Sequence, residues 1–183
     1  IVFCHQTGYP ILVRPSYVLS GAAMRVVWGE EQLERFLNEA IHLSPEYPIV
    51  ITKFIQEASE VEVDAVSNGE EVIIGSLVEH IDNAGIHSGD AMMCIPPWRL
   101  TRKTMNTIEE YTKMIALSLK VKGPLNIQYL VKGDQVYVIE ANIRASRSMP
   151  FVSKIVGVNI IALAAKAILG KPCLLYTSDA ADD

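Results

Sequence analysis

The chain has 183 residues, half of them hydrophobic, and a formal charge of −5. That length supplies one domain of ordinary size with a substantial core, and no apolar run approaches the ~20 residues of a membrane span. Basic residues are scattered, without a dense patch or interleaved aromatics, so there is no general attraction to nucleic acid. Cys4 and Cys94 stand isolated and Cys173 lies near the end. This spacing indicates neither a disulfide framework nor a zinc site, and it fits a reducing compartment.

Ile11–Arg14 is a short apolar run stopped by Pro15 and reads as a strand. Ser16–Ala23 is a loop, and Met24–Trp28 resumes an extended, β-branched pattern, so the two runs suggest a hairpin. From Glu30 to Leu43, Leu33, Phe36, Leu37, Ala40 and Ile41 recur at helical spacing. Ile49–Phe54 is apolar and β-branched, which predicts a buried strand. Glu60–Val66 alternates strictly and predicts a strand with one polar face. Glu62 on that face is expected to be solvated. Asn68-Gly69 signals a hairpin turn, and Val72–Val78 returns as the next strand. Asn83–Asp90 reads as a polar loop, and Met92–Cys94 as a stretch whose role is packing. A helix from about Thr104 to Leu119, strands Leu125–Val131 and Val136–Ala141, and short helices Phe151–Val156 and Ile160–Leu169 complete an α+β pattern.

The two ends need separate treatment. The start lacks Met and opens inside an apolar run, which suggests a fragment. Ile1–Thr7 does not have the look of a helix. Past Pro172, Cys173-Leu-Leu-Tyr-Thr-Ser-Asp-Ala-Ala-Asp-Asp183 resembles a translated sequencing adapter, so residues 173–183 are expected not to be native. Without the three aspartates of that tail the formal charge of −5 becomes −2.

The chemistry concentrates between Gln128 and Arg147. Glu140 and Asn142 alternate with period 2 and leave one face of a strand. If a three-residue loop, Gly133-Asp134-Gln135, joins this strand to its partner, Gln128 stands opposite Glu140 and Asn126 opposite Asn142. A two-residue loop would put Gln128 on the other face. A carboxylate and two amide oxygens suit Mg²⁺, and Arg144 and Arg147 could hold phosphate oxygens. The combination suggests phosphoryl transfer from a nucleotide. The alternative is a polar strand end beside a surface loop.

Three motifs in order carry a resemblance over Gly8–Pro172. They are Gly8-Tyr-Pro…Val13-Arg14-Pro-Ser-Tyr-Val-Leu-Ser-Gly-Ala-Ala-Met24, Glu79-His-Ile-Asp-Asn-Ala-Gly-Ile-His-Ser-Gly-Asp90 and Glu140-Ala-Asn-Ile-Arg-Ala-Ser-Arg-Ser-Met-Pro-Phe-Val-Ser-Lys154. Together they resemble the ATP-binding part of the carbamoyl-phosphate synthase large subunit. The resemblance implies an ATP-grasp fold: antiparallel sheets flanked by helices, incomplete here at both ends. Ser20-Gly-Ala-Ala and Met149-Pro-Phe-Val-Ser-Lys154 are closer to the second, carbamate-phosphorylating half than to the bicarbonate-phosphorylating half.

The same resemblance implies residue roles. Arg14 would contact ATP phosphate, and Lys53 and Ile55 would meet the adenine edge. Glu60 would accept hydrogen bonds from ribose hydroxyls. Gly85, Ile86, His87 and Ser88 match a nucleotide-contact loop, with His87 close to the chemistry. Gln128, Glu140 and Asn142 would hold Mg²⁺ or Mn²⁺, with Gln128 and Glu140 also near ATP. Arg144 and Arg147 would steady the transferring group or the carbamate. Asn142-Ile143-Arg144 departs from the Asn-Pro-Arg of most relatives, which removes a φ restraint and no ligand.

The implied partners are ATP, carbamate, the rest of the large subunit with its first ATP-grasp half, and a glutaminase subunit or domain. No nucleic acid or membrane partner is implied. The implied setting is cytoplasmic, or the mitochondrial matrix for a urea-cycle type. Rival readings are the bicarbonate-phosphorylating half, another ATP-grasp ligase, or a non-catalytic nucleotide-binding module. The isolated fragment is expected to be inactive.

Overall fold

The computed structural model describes residues 2–15, 24–43, 48–84 and 90–171. The chain forms two compact units, divided between Gln56 and Glu57.

The first unit begins with helix α1 (Val2–Thr7), where the sequence suggested none. Its one buried residue, Cys4, joins the core, and Gly8 ends the helix at φ +69 with its N–H on the Cys4 carbonyl at 2.8 Å. Only glycine adopts that backbone cheaply. Strands β1 (Ile11–Pro15), β2 (Arg25–Val27) and β3 (Ile49–Lys53) form an antiparallel sheet in the order β2-β1-β3, with helix α2 (Glu30–Leu43) between β2 and β3 in the chain. Ile11, Val13, Val27, Leu33 and Phe36 close the core with Cys4. The hairpin and α2 agree with the sequence reading. The buried strand at 49–54 needs correction: β3 is an edge strand, Ile49–Ile51 are half-buried, and Thr52 and Lys53 are exposed.

The second unit is a five-stranded antiparallel sheet, β6-β5-β4-β7-β8. Its strands are β4 (Ser59–Asn68), β5 (Val72–Asn83), β6 (Met93–Cys94), β7 (Lys122–Lys132) and β8 (Gln135–Asn142). Helix α3 (Arg102–Ser118), capped by the Thr101 side chain, covers one face through Ile108 and Ala116 against Val61, Val63, Leu125 and Ile127. Helices α4 (Met149–Val156) and α5 (Ile160–Ile168) pack Met149, Val152, Ile160 and Leu163 against Val66 and Val78. The residues read as packing filler at Met93 and Cys94 form β6, paired with His80 and Glu79. Among the described residues, no single helix is long and apolar enough to cross a membrane.

Two further expectations fail here. The polar face of β4 is not solvated: Glu60, Glu62 and Asp64 are all buried. The alternation is real, but layers lie on both faces of this central strand, so its polar face is interior. The turn between β7 and β8 also differs. Lys132 pairs with Gln135, leaving a two-residue loop, Gly133-Asp134, not three residues. Gln128 nevertheless pairs with Glu140 and Asn126 with Asn142, because a β-bulge between Val138 and Glu140 inserts Ile139 and resets the register. One extra residue in the strand does what the longer loop would have done.

Candidate functional site

Register across four strands sets two polar rows on the sheet face that α4 and α5 also occupy. Val78, Glu62, Gln128 and Glu140 form one row, and Ser76, Asp64, Asn126 and Asn142 form the next. Alternation along β4, β7 and β8 points these side chains the same way. The loop after β8 carries Arg144 and Arg147 beside this face. Glu62, Asn126, Gln128, Arg144 and Arg147 line a cleft of about 660 Å³, with Val78, Ile95 and Phe151 among its apolar walls.

Glu62 is the hub of the buried network. His80 Nε2 lies 3.2 Å from its Oε1, Gln128 Nε2 donates to the same oxygen at 3.2 Å, and Asn126 Nδ2 donates to Oε2 at 3.1 Å. Burial pushes the Glu62 carboxyl up. Hydrogen bonds from His80, Asn126 and Gln128, with attraction to His80, overcome this and hold it below the ordinary carboxylate range. Glu62 is therefore ionised at neutral pH. On its other side, His80 Nδ1 stands 4.0 Å from Glu60 Oε2. Asn126 also donates to Asp64 Oδ1 at 3.0 Å, so one amide bridges two buried carboxylates.

The hydrogen bonds decide which atoms are left for a ligand. An ionised carboxylate only accepts, so the amide nitrogen of Gln128 must face Glu62 and its carbonyl oxygen remains. Likewise Asn142 Nδ2 donates to Glu140 Oε1 at 2.8 Å, leaving the Asn142 carbonyl oxygen and the second Glu140 oxygen. The donor set is thus three hard oxygens from two neighbouring strands, a set that fits Mg²⁺ or Mn²⁺.

The sequence matches the family described as carbamoyl-phosphate synthase L chain, ATP binding domain, over residues 1–174. The chain belongs to that family. It is 56% identical over 166 residues to the carbamoyl phosphate synthase large chain of Archaeoglobus fulgidus, covering 91% of this chain and 15% of that protein. It is 51% identical over 174 residues to a multifunctional protein of Saccharomyces cerevisiae, covering 95% and 8%. Against the C-terminal section of the large chain of Aquifex aeolicus it is 48% identical over 166 residues, covering 91% and 31%. The chain therefore spans less than a third of each of these relatives. The fold is that of biotin carboxylase: the Campylobacter jejuni enzyme superposes with a TM-score of 0.78 at 23% identity, over 92% of this chain and 39% of that one. The chain thus has an ATP-grasp fold.

Within this ATP-binding domain, the sequence-predicted residues fall into three groups. Gln128, Arg144 and Arg147 line the cleft, whereas Glu140 and Asn142 do not line it but sit on β8 opposite Gln128 and Asn126. Glu60 is buried on the same strand face as Glu62. Arg14, Lys53 and Ile55 belong to the first unit: Arg14 is exposed near the end of β1, Ile55 is half-buried after β3, and Lys53 Nζ donates to the Gly8 and Tyr9 carbonyls at 3.0 and 3.1 Å. Gly85, Ile86, His87 and Ser88 lie outside the described residues, as do Ser20–Ala23 and the tail from Pro172. Sequence reasoning missed Glu62, Asp64 and His80. The first two were visible as an alternating acidic run, whereas nothing local marked His80.

Proposed function

We propose that this domain takes part in the ATP- and Mg²⁺-dependent phosphorylation of carbamate to carbamoyl phosphate, within a larger synthase that feeds pyrimidine or arginine and urea metabolism. The observation that supports the reading is the cleft lined by Gln128, Arg144 and Arg147 over an ionised, buried Glu62, with Glu140 paired to Gln128 and Asn142 to Asn126 on the neighbouring strand. Mn²⁺ fits the same oxygens. The cation, when bound, supplies charge neutralisation on the phosphate oxygens. Glu62 orients the Gln128 amide, Asn142 orients Glu140, and the two arginines offer planar donors to an anionic acceptor or phosphoryl group. Arg14, Lys53, Ile55, Glu60 and the 85–88 segment are assigned to the nucleotide, with His87 near the chemistry. The assignment to the carbamate-phosphorylating half is supported by the wording of Met149-Pro-Phe-Val-Ser-Lys154 and by the similarity to a C-terminal section of the large chain. The rest of the large subunit and a glutaminase would supply the earlier steps.

The test is Glu140→Gln in the intact synthase. Carbamoyl-phosphate-dependent ATP synthesis from ADP should fall by about 100-fold or more, the scale of losing a transition-state contact, while bicarbonate-dependent ATP hydrolysis persists. The reverse pattern assigns the domain to the bicarbonate half. No change in either reaction removes Glu140 from the site and favours a non-catalytic nucleotide-binding module.

A further inference from the structure

We propose that Asp64 is a positioning residue for the loop that bears Arg144 and Arg147, acting through the hydroxyls of Ser146 and Ser148. The proposal rests on the reading that these arginines meet the transferring group or its acceptor.

Asp64 is fully buried on β4, away from the exposed arginines. Ser146 Oγ donates to its Oδ1 at 2.6 Å and Ser148 Oγ to its Oδ2 at 2.6 Å. Both are short, charge-assisted bonds. They grip the loop on either side of Arg147. Ser146 Oγ also accepts the Met149 N–H at 3.0 Å, which ties the loop to the start of α4. Among the described residues, no backbone N–H from Ile143 to Ser148 donates to another backbone carbonyl outside the strand ladder. The side-chain clamp therefore carries what the backbone does not. A carboxylate suits the task because it has acceptor positions for both hydroxyls and for Asn126 Nδ2 at 3.0 Å. An asparagine would turn one accepting oxygen into a donor, so a serine hydroxyl would have to reverse its role and the charge on the clamp would be lost.

Shared use of Asn126 links the two ends of the cleft. Its amide touches Glu62, which orients Gln128, and Asp64, which holds the arginine loop. The Gln128 amide and the arginine loop are thus set by one buried polar unit. A displacement of the guanidinium groups by about 1 Å is enough to cost up to about 100-fold in rate.

The experiment uses the intact synthase with Ser146→Ala/Ser148→Ala, its hydroxyl-keeping counterpart Ser146→Thr/Ser148→Thr, the single change Ser148→Ala, and Asp64→Asn. Carbamoyl-phosphate-dependent ATP synthesis is read as kcat and as KM for ADP. The double alanine variant should lose about 10- to 100-fold in kcat with KM for ADP within about twofold. The double threonine variant should recover most of that loss, and Ser148→Ala and Asp64→Asn should fall between. The proposal is overturned if the alanine pair keeps its kcat, if the threonine pair falls as far as the alanine pair, or if the loss is confined to KM. Should the double variant fail to fold, Ser148→Ala decides alone by the same criteria. Glu140→Gln and Arg147→Ala are measured alongside. Full activity in both rejects the functional reading itself. Loss of activity in those two, with the serine variants intact, rejects only the role of Asp64.

Discussion

Replacing Glu62 with Gln tests the central claim that its carboxylate organises the cleft. Glu62 is 4% exposed and takes three donors, from His80, Gln128 and Asn126, at 3.1–3.2 Å. Glutamine keeps the volume but replaces one accepting oxygen with a donor, so at least one buried N–H is left facing another. A hydrogen bond to a charged group contributes about 1.5–3 kcal/mol, and an unsatisfied donor adds its own desolvation penalty. The expected loss is therefore about 2–4 kcal/mol, at roughly 2–4 °C of melting temperature per kcal/mol. The pH dependence gives a second, independent reading. Because the folded-state pKa is lowered from 4.5, Glu62 contributes stability that is complete above that value and is lost as pH falls through the lowered one. Thermal unfolding followed from pH 6 to pH 3 should show a shallower acid loss in Glu62→Gln than in the parent. Mg²⁺ titration of nucleotide binding should show weaker metal dependence, since the Gln128 oxygen is no longer held. Equal melting temperatures and equal acid slopes would refute the hub.

Two further substitutions each probe one buried site. Gly75→Ala places a methyl 2.5 Å from Ile160 Cδ1 and 3.0 Å from the Asp64 carbonyl; overpacking of this kind costs about 1–3 kcal/mol, read as a lower melting temperature, and an unchanged one would mean that α5 yields freely. Tyr129→Phe removes a buried 2.8 Å contact with Thr112 Oγ1 and should cost about 1 kcal/mol in urea unfolding. Burial pushes the Tyr129 phenol up to about 12, an effect the Thr112 hydrogen bond partly offsets. Its neutral form is the folded form, so its contribution is complete below pH 10 and is lost as pH rises towards 12; alkaline difference spectra should lose a late-titrating tyrosine in the variant.

Periodicity located nearly every element because burial leaves its mark every two or 3.6 residues. Helix α3 was placed within two residues at its start, and the α2 boundaries agree. What periodicity lacks is the number of layers. Glu60-Val-Glu-Val-Asp64 alternates identically whether its polar side meets water or a neighbour's amides, so the sequence could show that Glu62 has a face and not that the face is interior. The missing information is long-range: Asn126 and Gln128 lie more than sixty residues away, and Ser146 and Ser148 more than eighty. His80 is a sharper case. Its ring is sandwiched between carboxylates of a neighbouring strand, a placement set entirely by the β4–β5 register. For the same reason β6 escaped notice: two residues have no period, and only pairing with Glu79 and His80 makes them a strand.

The hairpin of β7 and β8 shows how a correct register can rest on an incorrect local argument. Convergence of oxygen ligands demanded Gln128 opposite Glu140, and a three-residue loop was the simplest way to obtain it. The chain instead uses a tight two-residue turn with Gly133 at φ +59 and spends its extra residue at Ile139. The difference has a mechanical meaning. A loop correction would set the register at the far end of the hairpin, whereas a bulge sets it next to the ligands and strengthens the local twist. The pairs on the turn side of the bulge, Tyr129 with Val138 and Leu130 with Tyr137, need not share a face assignment with the pairs beyond it. Val138, Ile139 and Tyr137 can therefore answer to packing and solvent, while Glu140 and Asn142 answer to Gln128 and Asn126. The proposed metal ligands fall within the last three residue pairs of the hairpin, and the bulge is the point where that register begins.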